Sequence, residues 1–382
     1  MELIFTGDGS LGAFSEQYDE SYSSSVGARI EKLSKHVLPA FMAIMPFYLQ
    51  THRAQNFAKS QNLQNQIASQ NQQDFLTSQN PQEFLASQNP QDAPTIRILD
   101  ICFGLGWSAF LSAQVFADMT RLFAPRFCPA SFFCPASFYP AFAPRLQIIS
   151  LEKDKHTLAL AGKIHSLDSS LLARLERGDE VNIAPNVSLQ IIWGDARENL
   201  ARLEKEAKSA PESALDSAPK NPQSTLESPQ KCENPQSAPK NPPARQNLLF
   251  DIVYQDPFSP SKNAELWGLA HFKQLYNLCK TQAIITTYST NAKQMQEACV
   301  AGFGVYRFAP SFENLAQTYR ASFGAELAES GAQDSDILDS DAQDSNALKN
   351  IINENMPKIR ASSILTKGDL GLENFAGLKI RQ

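Results

Sequence analysis

The stretch Ile98-Leu-Asp-Ile-Cys-Phe-Gly-Leu-Gly-Trp-Ser-Ala109 decides the fold of this chain. A short apolar run at 96–101 leads into a turn that contains Gly104 and Gly106, and a helical pattern follows at 106–120. Glycines in such a turn let the backbone approach a ligand and let the helix start close to the strand. The stretch therefore predicts the first strand, turn and helix of a doubly wound α/β sheet.

The chain on either side of the inserts alternates between strand and helix patterns. Strands are predicted at 146–151, 187–193, 249–255 and 283–288. Helices are predicted at 156–177, 196–207, 264–280 with Asn263 as N-cap, and 291–301 ended by Gly302. Segments 305–308 and 359–366 are expected to close the sheet as an antiparallel pair. The fold class is therefore α/β, Rossmann-like, with a mostly parallel doubly wound sheet.

Four segments have a biased composition that cannot support a core, so we interpret them as loop insertions. Without them, about 240 of the 382 residues remain, the size of one α/β domain. The predicted organisation is a covering segment at 1–50, an insert at 51–94, a core at 95–323 interrupted by inserts at 123–145 and 209–247, an acidic insert at 324–357, and a closing strand at 358–382.

Composition excludes few partners. The formal net charge of −6 owes much to segment 326–346, which holds seven acids and no Lys or Arg, and no basic tract indicates nucleic acid by itself. The cysteines have no metal-ligand spacing, so we expect reduced thiols and no metal. Neither a signal peptide nor a membrane-spanning run is recognised, so a cytoplasmic protein without a membrane partner is expected.

Asp100 distinguishes between two kinds of ligand. The spacing of Gly104, Gly106 and Ala109 also fits a dinucleotide-binding turn. However, an acid that enters the loop would repel a pyrophosphate, whereas it suits a ligand with a cationic amino-acid end. S-adenosylmethionine carries both an ammonium and a sulfonium, so we predict that it binds at Asp100, Phe103, Gly104 and Gly106. A tight turn without a ligand is the structural alternative.

Acids also stand at the ends of the next two strands. Glu152 can accept the ribose hydroxyls of a nucleoside, and Asp154 is the expected N-cap of the following helix. Asp195, followed by Ala196, can accept from an adenine amine or can cap the next helix. Acids at three successive strand ends are more informative than any one of them.

The segment Asp256-Pro-Phe258 follows the predicted fourth strand. An amine that attacks a methyl sulfonium needs a free lone pair aimed along the S–CH₃ bond. A carboxylate can accept its N–H and offset positive charge, and an aromatic ring can face a planar base or a cationic methyl group. Pro257 stiffens the turn. We therefore predict N-methylation with Asp256 as the catalytic residue, although Asp-Pro turns are also common after strands.

Three further residues are expected to face the same crevice. Lys262 is a candidate phosphate contact, and Tyr288 follows the predicted fifth strand. Trp267 can stack on substrate or fill the core, and the core interpretation is favoured.

Together these segments resemble the methyltransferase domain of the bacterial tRNA 5-methylaminomethyl-2-thiouridine biosynthesis enzyme. The family's loop, Glu-x-Gly-Phe-Gly-x-Gly, is matched from Asp100 to Gly106, with Cys102 in place of the first glycine. The family's motif Asp-x-Phe-x-Pro-x-Lys-Asn-x-x-x-Trp is matched from Asp256 to Trp267, and Ser15–Tyr22 is a weaker match.

The resemblance implies S-adenosyl-L-methionine as cofactor and methylation of the 5-aminomethyl group of a wobble uridine, so the partner would be the anticodon region of tRNA. It implies that Asp256 orients or deprotonates the amine. The sequence departs from the bifunctional enzyme in having no counterpart of its flavin-dependent oxidase domain, so we expect a stand-alone methyltransferase that acts on an already formed 5-aminomethyluridine. Three alternatives stay open: an N-methyltransferase for another amine, a dinucleotide-dependent oxidoreductase, and a non-catalytic binding module.

Overall fold

The structure is a computed structural model that describes residues 2–49, 94–122, 144–210, 245–319, 322, 359–372 and 375–380. The predicted inserts 51–94, 123–145, 209–247 and 324–357 lie outside the described residues, apart from a few positions at their edges. Cys128, Cys134 and Cys232 lie outside them as well. Cys102, Cys279 and Cys299 are free thiols.

Two sheets organise the described residues. In chain order the strands are β1 Glu2–Phe5, β2 Leu11–Ser15, β3 Glu20–Ser21, β4 Thr95–Ile101, β5 Arg145–Glu152, β6 Val181–Ala184, β7 Val187–Trp193, β8 Phe250–Gln255, β9 Cys279–Thr287, β10 Gly304–Phe308, β11 Ser362–Thr366 and β12 Leu378–Ile380. The first three form a small antiparallel sheet. The other nine form one sheet in the order β12-β10-β11-β9-β8-β4-β5-β7-β6.

The helices connect these strands. Helix α1 comprises Ala28–Lys32, a π-helical turn at Leu33–Val37 and helical residues 38–49. The others are α2 Trp107–Leu122, α3 His156–Ile164, α4 Ser169–Glu176, α5 Ala196–Ser209, α6 Leu269–Leu278 and α7 Ala292–Ala301.

Five central strands, β9-β8-β4-β5-β7, are parallel, and the outer strands β6, β10, β11 and β12 pair antiparallel. The chain runs outward from β4 through β5 to β7 and then returns to β8 on the other side of β4. Such a reversal opens a crevice at the carboxyl ends of the strands, where doubly wound sheets bind their ligands. The predicted fold class is confirmed.

Successive residues of the central strands point to opposite faces of the sheet and pack into two separate hydrophobic cores. Ile98 and Ile252 pack with α1, α2, α3 and α4, whereas Leu99 and Val253 pack with α5, α6 and α7. Strands buried on both faces are typical of parallel sheets covered by helices on each side.

Helix α1 is attached to the sheet near both of its ends. The Tyr48 hydroxyl donates to Asp251 Oδ1 over 2.9 Å at the start of β8. Lys32, at the other end, pairs with Asp256 just after β8. The helix therefore lies along β8 and brings its first turns to the crevice.

Several predicted elements need correction. The expected single helix at 156–177 is two helices, because Ser166 has a φ of 53° and Asp168 caps α4 by accepting from the Leu171 amide over 2.8 Å. The expected helix at 264–280 is a 3₁₀ turn, Ala264–Leu266, followed by α6. The Asn263 side chain makes no capping hydrogen bond.

Other expectations are confirmed, corrected or extended. Gly302 ends α7 with a φ of 110°, and β10 pairs antiparallel with β11. The expectation that Asp154 is the N-cap of α3 is wrong by one residue, because Lys155 holds that position, although the Asp154 carboxylate accepts from the His156 amide. The sequence interpretation missed β6, β12 and the three N-terminal strands.

Candidate functional site

A cavity of about 370 Å³ opens at the carboxyl ends of β4, β5, β7 and β8, where the strand order reverses. The N-terminal sheet and α1 also line it. Its lining residues include Tyr18, Glu20, Tyr22, Glu31, Lys32, Cys102, Phe103, Gly104, Glu152, Asp154, Asp195, Ala196, Asp256, Pro257, Phe258 and Tyr288. Most of the predicted site residues therefore face one cavity, while Asp100, Gly106, Lys262 and Trp267 are not among its lining residues.

The turn after β4 is held by backbone geometry that suits glycine. Gly104 and Gly106 have φ values of 54° and 79°. A side chain at Gly106 would meet the Phe103 and Phe110 rings at 2.9–3.0 Å, so this glycine is required for packing beneath the cavity. Cys102 also has a positive φ, 76°, where an L-residue with a side chain is strained. Burial holds the pKa of its thiol well above the ordinary range.

Asp100 lies beneath this turn and is fully buried. Ser150 Oγ donates to Asp100 Oδ2 over 2.9 Å, whereas Oδ1 has no hydrogen-bond partner among the described residues. Burial raises the pKa of Asp100 to about 8, and the nearby Asp256 carboxylate adds to the rise. A buried acceptor without a partner is costly unless a ligand or water supplies a donor.

Glu152 connects the glycine turn to the end of β5. Its Oε2 accepts from the Gly104 amide over 2.8 Å, and its Oε1 accepts from the amides of Lys153 and Asp154. Burial raises the pKa of Glu152 even though these three amides favour the carboxylate. Since each carboxylate oxygen has two lone pairs, Glu152 can still accept from a ligand hydroxyl in the cavity.

Asp195 is the N-cap of α5, one of the two roles that the sequence left open, and accepts from the Arg197 amide over 3.0 Å. The Arg197 guanidinium also binds both of its oxygens, at 2.9 and 2.8 Å. These bonds lower the pKa of Asp195 to about 2. Asp195 and Ala196 line the cavity at the start of α5.

Asp256, just after β8, is not a free carboxylate. Its Oδ2 pairs with the Lys32 ammonium, and its Oδ1 lies 3.5 Å from His36 Nε2. The Lys32 and Asp256 side chains are only 9% and 10% exposed. Burial opposes ionisation of Asp256, but Lys32 and His36 outweigh it and hold its pKa below the ordinary range. The pair likewise holds the pKa of Lys32 above its ordinary range despite burial.

The N-terminal sheet covers the turn after β8. The Phe258 ring stacks on Tyr18 at a centroid distance of 4.7 Å and lies against Tyr22 at 5.0 Å. Glu20 accepts from the Ser259 amide and from its hydroxyl, which lies 2.6 Å from Glu20 Oε2. The ring of Phe258 is therefore engaged by two tyrosines, so its capacity to stack on a substrate base is less than the sequence suggested.

Trp267 and Tyr288 hold the turn after β8, and Tyr288 also lines the cavity, whereas Trp267 and Lys262 do not. The Trp267 indole is 2% exposed and donates to the Phe258 carbonyl over 2.9 Å, consistent with the favoured core interpretation. The Tyr288 hydroxyl donates to the Pro257 carbonyl over 3.0 Å. Lys262 lies 3.6 Å from Asp19 in an exposed ion pair.

The sequence interpretation missed Lys32 and His36. They lie more than 200 residues from Asp256, in a segment that carries no recognisable motif. Glu31 and Lys35 form a second ion pair beside them. Tyr18, Glu20 and Tyr22 lie in or beside the weakly matching stretch Ser15–Tyr22, which was the only signal for them.

A protein family matches the part of the sequence that contains β8 and the turn after it. Residues 241–314 match a family described as S-adenosyl-L-methionine-dependent methyltransferase. The predicted cofactor is thus confirmed, and the coarse activity is S-adenosyl-L-methionine-dependent methyl transfer.

Two curated relatives are similar over short stretches. The tRNA 5-methylaminomethyl-2-thiouridine biosynthesis bifunctional protein MnmC of Campylobacter hominis is 37% identical over 79 residues, which is 21% of this chain and 12% of that protein. The protein of the same name from Burkholderia thailandensis is 40% identical over 65 residues, 17% of this chain and 10% of that protein. The matched stretches thus span about a tenth of each relative, and the predicted resemblance is confirmed.

A solved structure is also similar. MNMC2 from Aquifex aeolicus has 21% sequence identity and a TM-score of 0.42, and the comparison covers 80% of this chain and 64% of that chain.

The residues of the cavity suit this cofactor chemically. Its walls carry the carboxylates Glu152, Asp195 and Asp256, and the orphaned Asp100 Oδ1 lies beneath the glycine turn. Acidic walls favour a nucleoside with a cationic side chain over a pyrophosphate-bearing dinucleotide. Within the described ranges no helix is long and apolar enough to cross a membrane. Those ranges also hold no group of three or more His, Cys, Asp or Glu side chains arranged to bind a metal ion.

Proposed function

We propose that the protein methylates the 5-aminomethyl group of uridine or 2-thiouridine at the wobble position of tRNA, giving 5-methylaminomethyluridine. The observation that carries this proposal is the position of Asp256. Its carboxylate faces the cavity at the head of the motif Asp256–Trp267, inside the segment that matches the methyltransferase family. The substrate partner is then the anticodon region of tRNA, which places the reaction in the cytoplasm.

The cofactor-binding residues in this proposal are Asp100, Phe103, Gly104, Gly106, Glu152, Asp195 and Ala196. Bound S-adenosyl-L-methionine supplies an electrophilic methyl group on a sulfonium. Asp100 Oδ1 offers an acceptor to a cationic donor that reaches beneath the turn, and Glu152 is placed to accept ribose hydroxyls. Asp195 lies in the wall beside Ala196, where it can accept an amine N–H.

Asp256 is proposed to orient the amine rather than to remove its proton. A carboxylate whose pKa lies below the ordinary range is a weak base near neutral pH. It can still accept an N–H, aim the lone pair at the methyl group and offset the positive charge that develops on nitrogen.

Pro257 and Phe258 form the substrate side of the cavity, and Tyr288 and Trp267 fix them by donating to their carbonyl groups. Tyr18 and Tyr22 add aromatic surface at the mouth, so a pyrimidine that enters is expected to contact the tyrosines. Lys262, which is partly exposed, is the proposed phosphate contact. In this proposal, residues 1–50 cover the site and 95–323 form the catalytic core.

The test is methyl transfer by the purified protein to tRNA from a strain whose wobble uridine stops at 5-aminomethyl-2-thiouridine. We expect label from S-adenosyl-L-methionine to appear as 5-methylaminomethyl-2-thiouridine after nucleoside analysis. Asp256→Asn, which keeps the shape of the side chain, should lose at least about a hundredfold in kcat. The exposed Asp118→Asn on α2 is the matched control and should keep wild-type rates.

The outcomes separate the alternatives. If label reaches other amines but never this nucleoside, the protein is an N-methyltransferase with another substrate. If the protein binds NAD and not S-adenosyl-L-methionine, it belongs to the oxidoreductase alternative. Wild-type turnover by Asp256→Asn would remove the role assigned to Asp256.

A further inference from the structure

Lys32 occupies the position from which a cation neutralises Asp256. It is the last residue before the π turn of α1, it lines the cavity, and its ammonium meets Asp256 Oδ2. Both side chains are about nine-tenths buried, so water screens their interaction poorly. The charge on Asp256 is therefore balanced before any substrate arrives.

An unpaired carboxylate at this place would work against N-methylation. An alkylamine resembles the lysine side chain, whose pKa is about 10.4, so it is mostly an ammonium near neutral pH. A nearby carboxylate stabilises that ammonium further and raises its pKa. The ammonium has no lone pair and cannot attack the methyl group, so a residue that orients the amine would also keep it inert.

We propose that Lys32 is a positioning residue whose ammonium neutralises Asp256, so that the substrate amine is bound and reacts as the free base. This inference rests on the proposed N-methylation of an amine, and it assigns a role to a residue outside the sequence motifs. Asp256 then keeps its acceptor oxygens for orientation, while the pair attracts an ammonium less strongly than an unpaired carboxylate would.

Among the titratable groups around the Lys32–Asp256 pair, Lys32 is the cation that compensates the charge of Asp256. The titratable groups that face it are Glu31, Lys35 and His36 from α1, Asp100 from β4, Cys102 from the glycine turn, Tyr254 from β8, Glu152 from β5 and Tyr288 after β9. Lys35 lies 2.7 Å from Glu31 and balances it. Asp100 lies beneath the glycine turn, where its Oδ2 accepts from Ser150 and its Oδ1 is assigned to the cofactor.

The step balances without another reactant. The substrate ammonium releases one proton to solvent and enters as R–CH₂–NH₂. Its lone pair forms the N–CH₃ bond while the S–CH₃ bond breaks and its electron pair goes to sulfur, which becomes a neutral thioether. The product R–CH₂–NH₂⁺–CH₃ carries the positive charge and can lose its second proton to solvent after release.

The pH dependence of kcat at saturating substrate tests the inference, because it reports the protonation state of the bound amine. In Lys32→Met the rising limb should move at least about one pH unit upward, with a loss of about tenfold at pH 7 that recovers at high pH. Lys32→Arg should restore most of the wild-type profile. Lys163→Met, which removes an exposed lysine of α3 that does not line the cavity, is the matched control and should leave the limb in place.

Binding to the wild-type protein provides a second test that does not depend on a stable variant. Anticodon stem-loops with 5-aminomethyluridine should bind more tightly as pH rises, whereas 5-hydroxymethyluridine stem-loops should show no such trend. Tighter binding of the amine at lower pH, or a uniform loss of kcat in Lys32→Met at every pH, would overturn the role of Lys32. If no amine is methylated at all, it is the proposed function that fails.

Discussion

Cys102 adopts a backbone conformation that glycine adopts at lower cost. Its φ is 76°, and a left-handed conformation costs an L-residue roughly 1–2 kcal/mol. Cys102 lines the cavity, and the glycine and alanine variants both lack its thiol. We therefore expect Cys102→Gly to be more stable than Cys102→Ala by about 1 kcal/mol in denaturant unfolding, after allowance for the greater unfolded-state entropy of glycine. Equal stability of the two variants would show that the strain is relieved elsewhere.

His165 supports the glycine turn and should make stability depend on pH. Its Nε2 lies 3.0 Å from the Leu105 carbonyl, and its ring stacks on Phe110 at 4.3 Å. Burial lowers its pKa from 6.5 to about 4. The unfolded state therefore binds more protons between these values, and stability falls as pH drops from about 6.5 to about 4.

The size of this effect is up to about 3 kcal/mol, which follows from the shift in pKa. His165→Gln removes the titrating group, so the free energy of unfolding should fall less between pH 6.5 and 4 than in the wild type. His271, also buried with a lowered pKa, contributes with the same sign and is present in both proteins. The exposed His156→Gln is the control and should keep the wild-type dependence. Parallel curves for His165→Gln and wild type would contradict the assignment.

The N-terminal sheet is the element that completes the cavity, and Glu20 joins it to the core. Glu20 accepts from both the amide and the hydroxyl of Ser259, and hydrogen bonds to a charged group contribute about 1.5–3 kcal/mol. We expect Glu20→Ala to raise the KM for the tRNA substrate about tenfold or more and to change kcat less. The exposed Glu16→Ala in the same segment should leave KM unchanged. An equal KM for both variants would show that this contact does not set the geometry of the turn.

At the level of elements, local sequence patterns predicted the strands, helices and caps around the glycine turn and β8. Strand β7 has the predicted limits, and Asp195 caps α5. The split between α3 and α4 was missed, although the run Asp168-Ser-Ser that follows Ser166 is an N-cap pattern inside an apparently continuous helix. The partners of Asp256 could not be predicted, because no local pattern links Lys32 to a residue more than 200 positions away.

Helix α1 illustrates the same limit. Pro39 has no amide N–H to donate to the Lys35 carbonyl, and Pro46 has no amide N–H either. The local sequence therefore disfavours a helix here. The segment is nevertheless helical through residue 49, with a π turn at Leu33–Val37 just before Pro39. A π turn changes the helical phase, so that residues before and after it lie on different faces than in a regular α-helix. Such turns are frequent at functional sites. Here it lies between Lys32 and the remainder of α1, so tertiary packing decides which side chains reach the cavity.

At the scale of the whole molecule, the biased segment at 209–247 falls between two elements that contact each other. The insert at 209–247 separates α5 from the 3₁₀ turn Arg245–Leu248, and these two elements are in contact. A short connection can therefore span the same junction without moving either end. Because closing a shorter loop costs less entropy, the change should favour the folded state by about 1 kcal/mol.

We accordingly expect that replacing residues 211–244 with a Gly/Ser linker of about eight residues keeps the fold, the affinity for S-adenosyl-L-methionine and the methylation rate with a free nucleoside or stem-loop. Thermal unfolding, calorimetry and the labelled-methyl assay measure these three properties. The same variant examined with full-length tRNA separates two roles for the insert. An unchanged KM would mark the segment as dispensable for catalysis, whereas a raised KM with an unchanged Tm would mean that it contacts tRNA outside the anticodon. Loss of cofactor binding would contradict the expectation, because the lining residues that the structure describes lie on other segments of the chain.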